Sequence, residues 1–154
     1  MDVDAALCAL VKRRLSHLYF LEEGDLEDVA CYFRPLEVKA GEVAWREGDP
    51  CDSVAFVVSG SLEIKKETEF EGKQVVLGIY GPGAVAGELC FADRGPREVT
   101  AVALEDTCLI VIDRDRLEEM IEAHPALGVK FLRGLLLAVS RRLRQCFQRM
   151  ASIF

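Results

Sequence analysis

The residues best suited to chemistry in this 154-residue chain lie in one segment, Gly87-Glu88-Leu89-Cys90-Phe91, followed shortly by Gly95-Pro96-Arg97-Glu98-Val99-Thr100. Gly87 frees the backbone to turn, and Glu88-Leu89-Cys90-Phe91 predicts a short helix whose first N–H groups, unpaired within the helix, face outward as an anion site. Arg97, held by Pro96 at the start of the next strand, is expected to return over the same spot with a forked guanidinium for a phosphate. Glu88 has two acceptor oxygens and no donor, which suits a ribose hydroxyl. Each piece is weak alone: a Gly-Glu pair is common, and a single arginine is usually a solvated charge.

No other constellation competes with it. Cys8, Cys31, Cys51, Cys90, Cys108 and Cys146 are widely spaced, with no Cys-x-x-Cys pair and only His17 and His124 as histidines. That pattern argues against zinc, haem attachment and iron–sulfur ligation, so no metal and no cofactor are expected, and all six are read as reduced thiols. Cys31, Cys90 and Cys108, set among apolar residues, read as small core groups. No Ser/His/Asp arrangement stands out and neither histidine is near 83–100, so no catalytic residue is assigned and the chain is not expected to be an enzyme.

The elements around this segment follow from periodicity. Between Asp4 and Phe20, Leu7, Leu10, Val11, Leu15 and Leu18 form one apolar stripe of a helix. Asp25 can cap a second short helix that Pro35 ends by Arg34 at the latest. From 36 to 113 short β-rich runs at 36–39, 43–46, 53–58, 62–66, 74–80, 99–103 and 108–112 alternate with glycine turns, which predicts an all-β barrel or sandwich. Helical periodicity returns at 114–123 and again after Pro125. There Val129, Leu132, Leu136, Val139, Leu143, Cys146 and Met150 are spaced alternately three and four residues apart, the seam of a coiled coil. Either that seam pairs with a second copy, with Phe131, Leu135 and Leu137 packing on the chain's own β body, or the seam itself packs there. Homodimerisation through 129–150 is the reading adopted. One domain is expected over 1–154: N-terminal helices to 34, β body 35–113, C-terminal helices 114–154.

Composition fits one full core, with 51% hydrophobic and 29% charged residues. The net charge of −7 is unevenly spread: all 26 acidic residues lie at or before Glu122, whereas six of the 19 basic ones follow it. An acidic body is a poor nucleic-acid surface. The basic tail suits an acidic partner, a membrane or RNA, or else a helix face lying against the acidic body. No run approaches the roughly 18 apolar residues of a membrane span, and the start carries no signal-peptide pattern, so a soluble, cytoplasmic protein is expected.

Taken together, the Gly-Glu-Leu at 87–89, its spacing to Pro96-Arg97 and the strand that follows resemble the phosphate-binding cassette of the cyclic-nucleotide-binding domain family. That family includes the catabolite activator protein, kinase regulatory subunits and cyclic-nucleotide-gated channels. The resemblance extends upstream through Lys39-Ala40-Gly41-Glu42-Val43, Arg46-Glu47-Gly48-Asp49-Pro50 and Val57-Val58-Ser59-Gly60-Ser61-Leu62-Glu63, and downstream to Arg141-Arg142-Leu143. It implies a mainly β fold with flanking α: an eight-stranded double-stranded β-helix, a jelly-roll-like β-roll, with N-terminal helices and a long C-terminal helix. It further implies that the cassette at 83–100 binds a cyclic purine monophosphate, cAMP or cGMP. Glu88 would hold the ribose 2′-hydroxyl, Arg97 the exocyclic phosphate oxygens, and the N–H groups of Leu89, Cys90 and Val99 would support them. The long helix would cap the base, and Phe147 would either stack on it or join the seam.

Two positions depart from the family's pattern. Ala86 stands where a large apolar residue is usual. Glu98 stands where a small residue usually lies beside the phosphate, and it is expected either to weaken binding or to bond Arg97 and fill the site. The expected function is thus a regulatory sensor that signals when the cassette closes, the hinge at 117–123 shifts and the long helix moves. The alternative is a degenerate, ligand-free homodimerisation scaffold in which Glu98 occupies the phosphate site. No DNA-binding region is visible, so either an output protein acting in trans is expected as partner or this is one domain of a longer chain.

Overall fold

The computed structural model describes residues 3–15, 18 and 20–154. His17 and the side chains of Leu7 and Leu15 lie outside the described residues. Helix α1 (Val3–Leu15) and the short α2 (Leu26–Val29) precede eight strands, β1 (Phe33–Val38), β2 (Val43–Trp45), β3 (Ser53–Ser59), β4 (Leu62–Glu67), β5 (Gln74–Tyr80), β6 (Val85–Ala86), β7 (Thr100–Ala103) and β8 (Thr107–Asp113). Helices α3 (Arg114–Ala123) and α4 (Pro125–Ala151) follow. All pairings are antiparallel, in two four-stranded sheets ordered β1-β8-β3-β6 and β2-β7-β4-β5. The expected mainly β roll with flanking helices is the architecture observed.

Strands β3 and β8 read as continuous apolar runs because both their faces are covered. On the outer face Val54, Phe56, Ile110 and Ile112 meet Val11, Leu18, Leu117, Met120, Phe131 and Leu135 from the helical segments. On the inner face Ala55, Val57, Leu109 and Val111 meet Val38, Trp45, Leu62, Ile64 and Ala101 inside the roll. Phe131 anchors the first half of α4 in an aromatic cluster, its ring centroid 5.6 Å from Phe56 and 5.5 Å from Phe20. That close approach requires glycine at 134, where a Cβ would run into the Phe20 ring.

Four local expectations are corrected. The described first helix is Val3–Leu15, and Leu18 and Phe20, expected within it, are not helical, although Leu18 is buried. Asp25 precedes α2 but makes no side-chain cap; its carboxylate accepts from the Glu22 N–H at 2.8 Å and from Lys130 at 2.7 Å, tying α4 to the N-terminal segment. The second helix ends before Arg34 as expected, but Pro35 is not its terminator: it sits inside β1, which a sheet-edge strand tolerates. Glu88–Phe91 form hydrogen-bonded turns, Phe91 N–H to Glu88 O and Arg94 N–H to Cys90 O at 3.1 Å each, not a helix.

The uniform reading of the cysteines as reduced thiols is corrected as well. Cys51 and Cys90 are joined in a disulfide, with Cα atoms 5.9 Å apart, while Cys8, Cys31, Cys108 and Cys146 are free. Cys90 turns back from the cassette onto the loop entering β3, a contact between positions 39 apart that no local spacing announces.

Candidate functional site

A cavity of about 430 Å³ lies between the roll and α4. Gly87, Glu88, Leu89, Cys90, Arg97, Glu98 and Val99 all line it. The structure therefore brings together every cassette residue singled out in the sequence. Phe147 is the exception: it is exposed and absent from the lining, where Val139, Arg142, Leu143 and Cys146 represent α4 instead.

Arg97 is the structural centre of the site. Its side chain is 5% exposed. Nη1 donates to Ser53 O at 3.0 Å and Gly87 O at 3.3 Å, and Nη2 to Ser53 Oγ at 3.0 Å. The guanidinium lies 4.5 Å from the centre of the Trp45 ring, a cation–π contact that helps fix its plane. Gly87 has φ of +80°, and a Cβ there would collide with the guanidinium, so glycine is required both for the turn and for the space.

Charge compensation at Arg97 is thin. The carboxylate of Asp52, itself 81% exposed, is 3.9 Å away. Burial pushes the guanidinium below the ordinary arginine value, and the charges of Asp52 and Asp49 pull it partly back. Two buried donors, Arg97 Nε and Trp45 Nε1, have no hydrogen-bond partner among the described residues. A buried cation held by neutral carbonyl and hydroxyl oxygens, beside a cavity, is an arrangement that favours an incoming anion.

Glu88 is buried and ion-paired with Arg142 of α4. Arg142 also donates to Val85 O at 2.7 Å and stacks 4.2 Å from the centre of the Tyr80 ring. Burial raises the Tyr80 hydroxyl above its ordinary value, with the positive charge of Arg142 opposing it. Arg149, about two turns further along the same side of α4, donates to Leu77 O at 2.7 Å. Two arginines of the basic tail thus turn toward the acidic body and the cavity.

Glu98 lines the cavity with a largely exposed side chain. Its side chain is 54% exposed, its carboxylate is 3.9 Å from Lys66 Nζ, and Lys66 also donates to Glu98 O at 3.0 Å and to Glu47 at 2.7 Å. The Glu67 backbone N–H and then Lys66 hold Glu47 below the usual carboxylate range.

The residues missed in the sequence are Trp45, Ser53, Tyr80 and Arg142 as parts of the site. Arg142 belonged to a quoted motif without a role, and Trp45, the chain's single tryptophan, stood in a recognised strand. Ser53 acts through a contact 44 residues distant from Arg97, for which the sequence carries no local signal.

Comparison with known proteins agrees with this geometry. Residues 35–124, more than half of the chain, match the family model described as cyclic nucleotide-binding domain. The chain is 30% identical over 120 residues to the CRP-like cAMP-activated global transcriptional regulator of Mycobacterium tuberculosis, covering 78% of this chain and 51% of that protein. It is also 30% identical over 158 residues to the voltage-gated delayed rectifier potassium channel KCNH1 of Rattus norvegicus, covering 99% of this chain and 16% of the channel. The chain therefore spans about half of the first relative and a small part of the second. Among solved structures, a cyclic nucleotide-binding domain from Methylobacillus flagellatus KT superposes with a TM-score of 0.85 at 23% identity, covering 96% of this chain and 85% of that one.

Proposed function

The chain belongs to the cyclic nucleotide-binding domain family, and from that premise we propose that it is a regulatory module that binds a cyclic purine monophosphate and signals through α4. The observation that carries this reading is Arg97, a buried guanidinium with thin charge compensation at the wall of a cavity that also holds Glu88. In the proposed complex the exocyclic phosphate oxygens take the cation of Arg97. The backbone N–H groups of Leu89 and Cys90, which bond no protein acceptor among the described residues, supply further donors. Glu88 accepts from the ribose hydroxyl while remaining beside Arg142. The base lies toward Tyr80, Val139, Leu143 and Cys146, a mostly apolar end of the cavity.

A route for the signal starts at Arg114, the first residue of α3. Its guanidinium donates to the carbonyls of Phe91 at 2.6 Å, Cys51 at 2.9 Å and Cys90 at 3.1 Å. A shift of the cassette changes these bonds, and α3 packs directly on α4 across a backbone break at His124. Binding then biases α4 between two positions. No helix of the described residues is long and apolar enough to cross a membrane, and the proposed role needs no catalytic step.

The scaffold alternative, with Glu98 in the phosphate site, draws no support from the contacts of Glu98, which are to Lys66. The exposed stripe Val129, Leu132, Leu136, Leu143, Phe147 and Met150 supports pairing of α4 with a second copy. It differs from the expected seam, since Val139 and Cys146 line the cavity, Leu143 is shared between the cavity lining and the stripe, and Phe147 takes a place on the exposed side. Calorimetric titration with cAMP and cGMP tests the function. The expected result is one saturable site per chain, with cAMP tried first because the Mycobacterium relative is named as cAMP-activated. No heat with either nucleotide at millimolar concentration overturns the sensor reading. Sedimentation should show a dimer that Leu132→Glu with Leu136→Glu, both exposed and outside the cavity lining, dissociates.

A further inference from the structure

We propose that the Cys51–Cys90 bond is a reversible thiol–disulfide switch on the anion site, with the oxidised form binding the cyclic nucleotide more tightly; this rests on the reading of the cavity given above. The position of the bond is the first argument. Cys51 is two residues before Ser53, whose carbonyl and hydroxyl oxygens both accept from Arg97. Cys90 is three residues after Gly87, whose carbonyl accepts from the same guanidinium. The disulfide closes a covalent frame around Arg97, joining the two segments that hold it. Arg114 reinforces the frame by bonding the carbonyls of both half-cystines.

The second argument is charge. Arg97 Nη1 lies 4.0 Å from Cys90 Sγ. In the disulfide that sulfur is neutral, so the cation is available to a phosphate. After reduction the Cys90 sulfur gains thiolate character beside the guanidinium and competes with the ligand for it. The frame also opens, so the turn at residues 89–94 loses a covalent tie.

Access and balance are consistent with exchange. Cys51 is half-buried and Cys90 is 2% exposed, so an incoming thiolate reaches the Cys51 sulfur. A dithiol reductant attacks Cys51 Sγ, the S–S bond breaks, and Cys90 leaves as a thiolate stabilised by Arg97. The reductant's second thiol then attacks the mixed disulfide, freeing Cys51. Overall the reductant loses two electrons and two protons to become a disulfide, and the protein gains two thiols. Two full hydrophobic cores already hold the fold, so the bond acts locally on the cassette rather than as a staple for the whole chain. In a reducing compartment bonds of this kind are transient and regulatory.

The test uses the full chain, oxidised with glutathione disulfide or reduced with dithiothreitol. Differential alkylation and peptide mass mapping should place Cys51 and Cys90 in one linked peptide after oxidation, with Cys8, Cys31, Cys108 and Cys146 alkylated. Titration with cAMP should give a Kd about tenfold lower for the oxidised form, and Cys51→Ser should behave as the reduced form under both treatments. By reciprocity, saturating cAMP should make the pair harder to reduce by about 30 mV per tenfold difference in affinity. Equal affinities within about twofold, or no linked peptide, overturn the proposal. Failure of both forms to bind sinks the functional reading instead. The switch is then judged on amide exchange at residues 89–94, which must quicken on reduction and whose indifference overturns it.

Discussion

The cavity has two walls that are held in different ways. The inner wall, with Trp45, Ile64, Ala86, Cys90 and Arg97, comes from strands and turns of the roll, and each of these residues is buried. The outer wall is the second half of α4. Helix α4 buries Gly128, Phe131, Gly134 and Leu135, and beyond Leu135 none of its residues is buried. From there the helix is tied to the body by polar contacts, Arg142 to Glu88 and Val85 O and Arg149 to Leu77 O. An element packed through apolar side chains at one end and held mainly by a few polar contacts at the other belongs to the low-stability part of a fold. On the proposed function this difference amounts to a division of labour, in which the inner wall would fix the ligand and the outer wall would be free to report it.

The harshest test of that division is Arg97→Ala. It removes a forked, charged donor at a site where each hydrogen bond to a charged group contributes about 1.5–3 kcal/mol, so cAMP affinity should fall by about 100-fold or more. Titration calorimetry measures it. Binding that survives unchanged would show that the ligand does not use this wall.

A smaller effect is expected where the walls meet. Glu88 is nearly fully buried and Arg142 about a quarter exposed. A double-mutant cycle of Glu88→Gln and Arg142→Gln, read by chemical denaturation, should return a coupling of about 0.5–3 kcal/mol. Arg142→Gln should also speed amide exchange in residues 139–151 while leaving 53–58 and 107–113 protected. Uniform quickening across the whole chain would erase the distinction between a fixed wall and a reporting one.

How much of this was legible in the sequence depends on range. Strand β5 was read with its observed bounds, because glycine turns and β-rich composition are local signals. Strand β6 was missed because two residues, Val85 and Ala86, are too short a run to show any period. Glu88 and Arg97 were legible as a motif, and the structure does place both on the cavity. The partners that give them their character were not: Ser53 and Arg142 are 44 and 54 residues away from the groups they bond. Phe147 was read two ways, on the base or in the seam, and the structure leaves it exposed and off the cavity. The three-and-four spacing fixes a helical stripe but not the rotation of the helix, and the observed rotation puts Phe147 in the exposed stripe and Cys146 on the cavity.

The smallest expected effect concerns Glu98, which lies on the inner wall but points to its rim. A carboxylate about 4 Å from a phosphate costs roughly 1 kcal/mol in water and about 4 kcal/mol at an effective dielectric near 20, so its direction decides which figure applies. Glu98 is half-exposed and accompanied by Lys66 at 3.9 Å, and Lys66 in turn holds Glu47. Solvent and the ammonium both damp its field, so the watery figure is the relevant one. Glu98→Ala should therefore raise cAMP affinity by less than about tenfold, or 1.4 kcal/mol. Glu98→Gln, which keeps the volume and removes the charge, should act in the same direction. The gain should shrink as ionic strength rises from about 0.01 to 1 M, because the screening length falls from about 30 to 3 Å over that range. Lys66→Gln should do the opposite and weaken binding, since it leaves the carboxylate uncompensated. If the unaltered chain binds nothing while Glu98→Ala binds well, the carboxylate reaches the phosphate site in solution and the scaffold reading replaces the sensor.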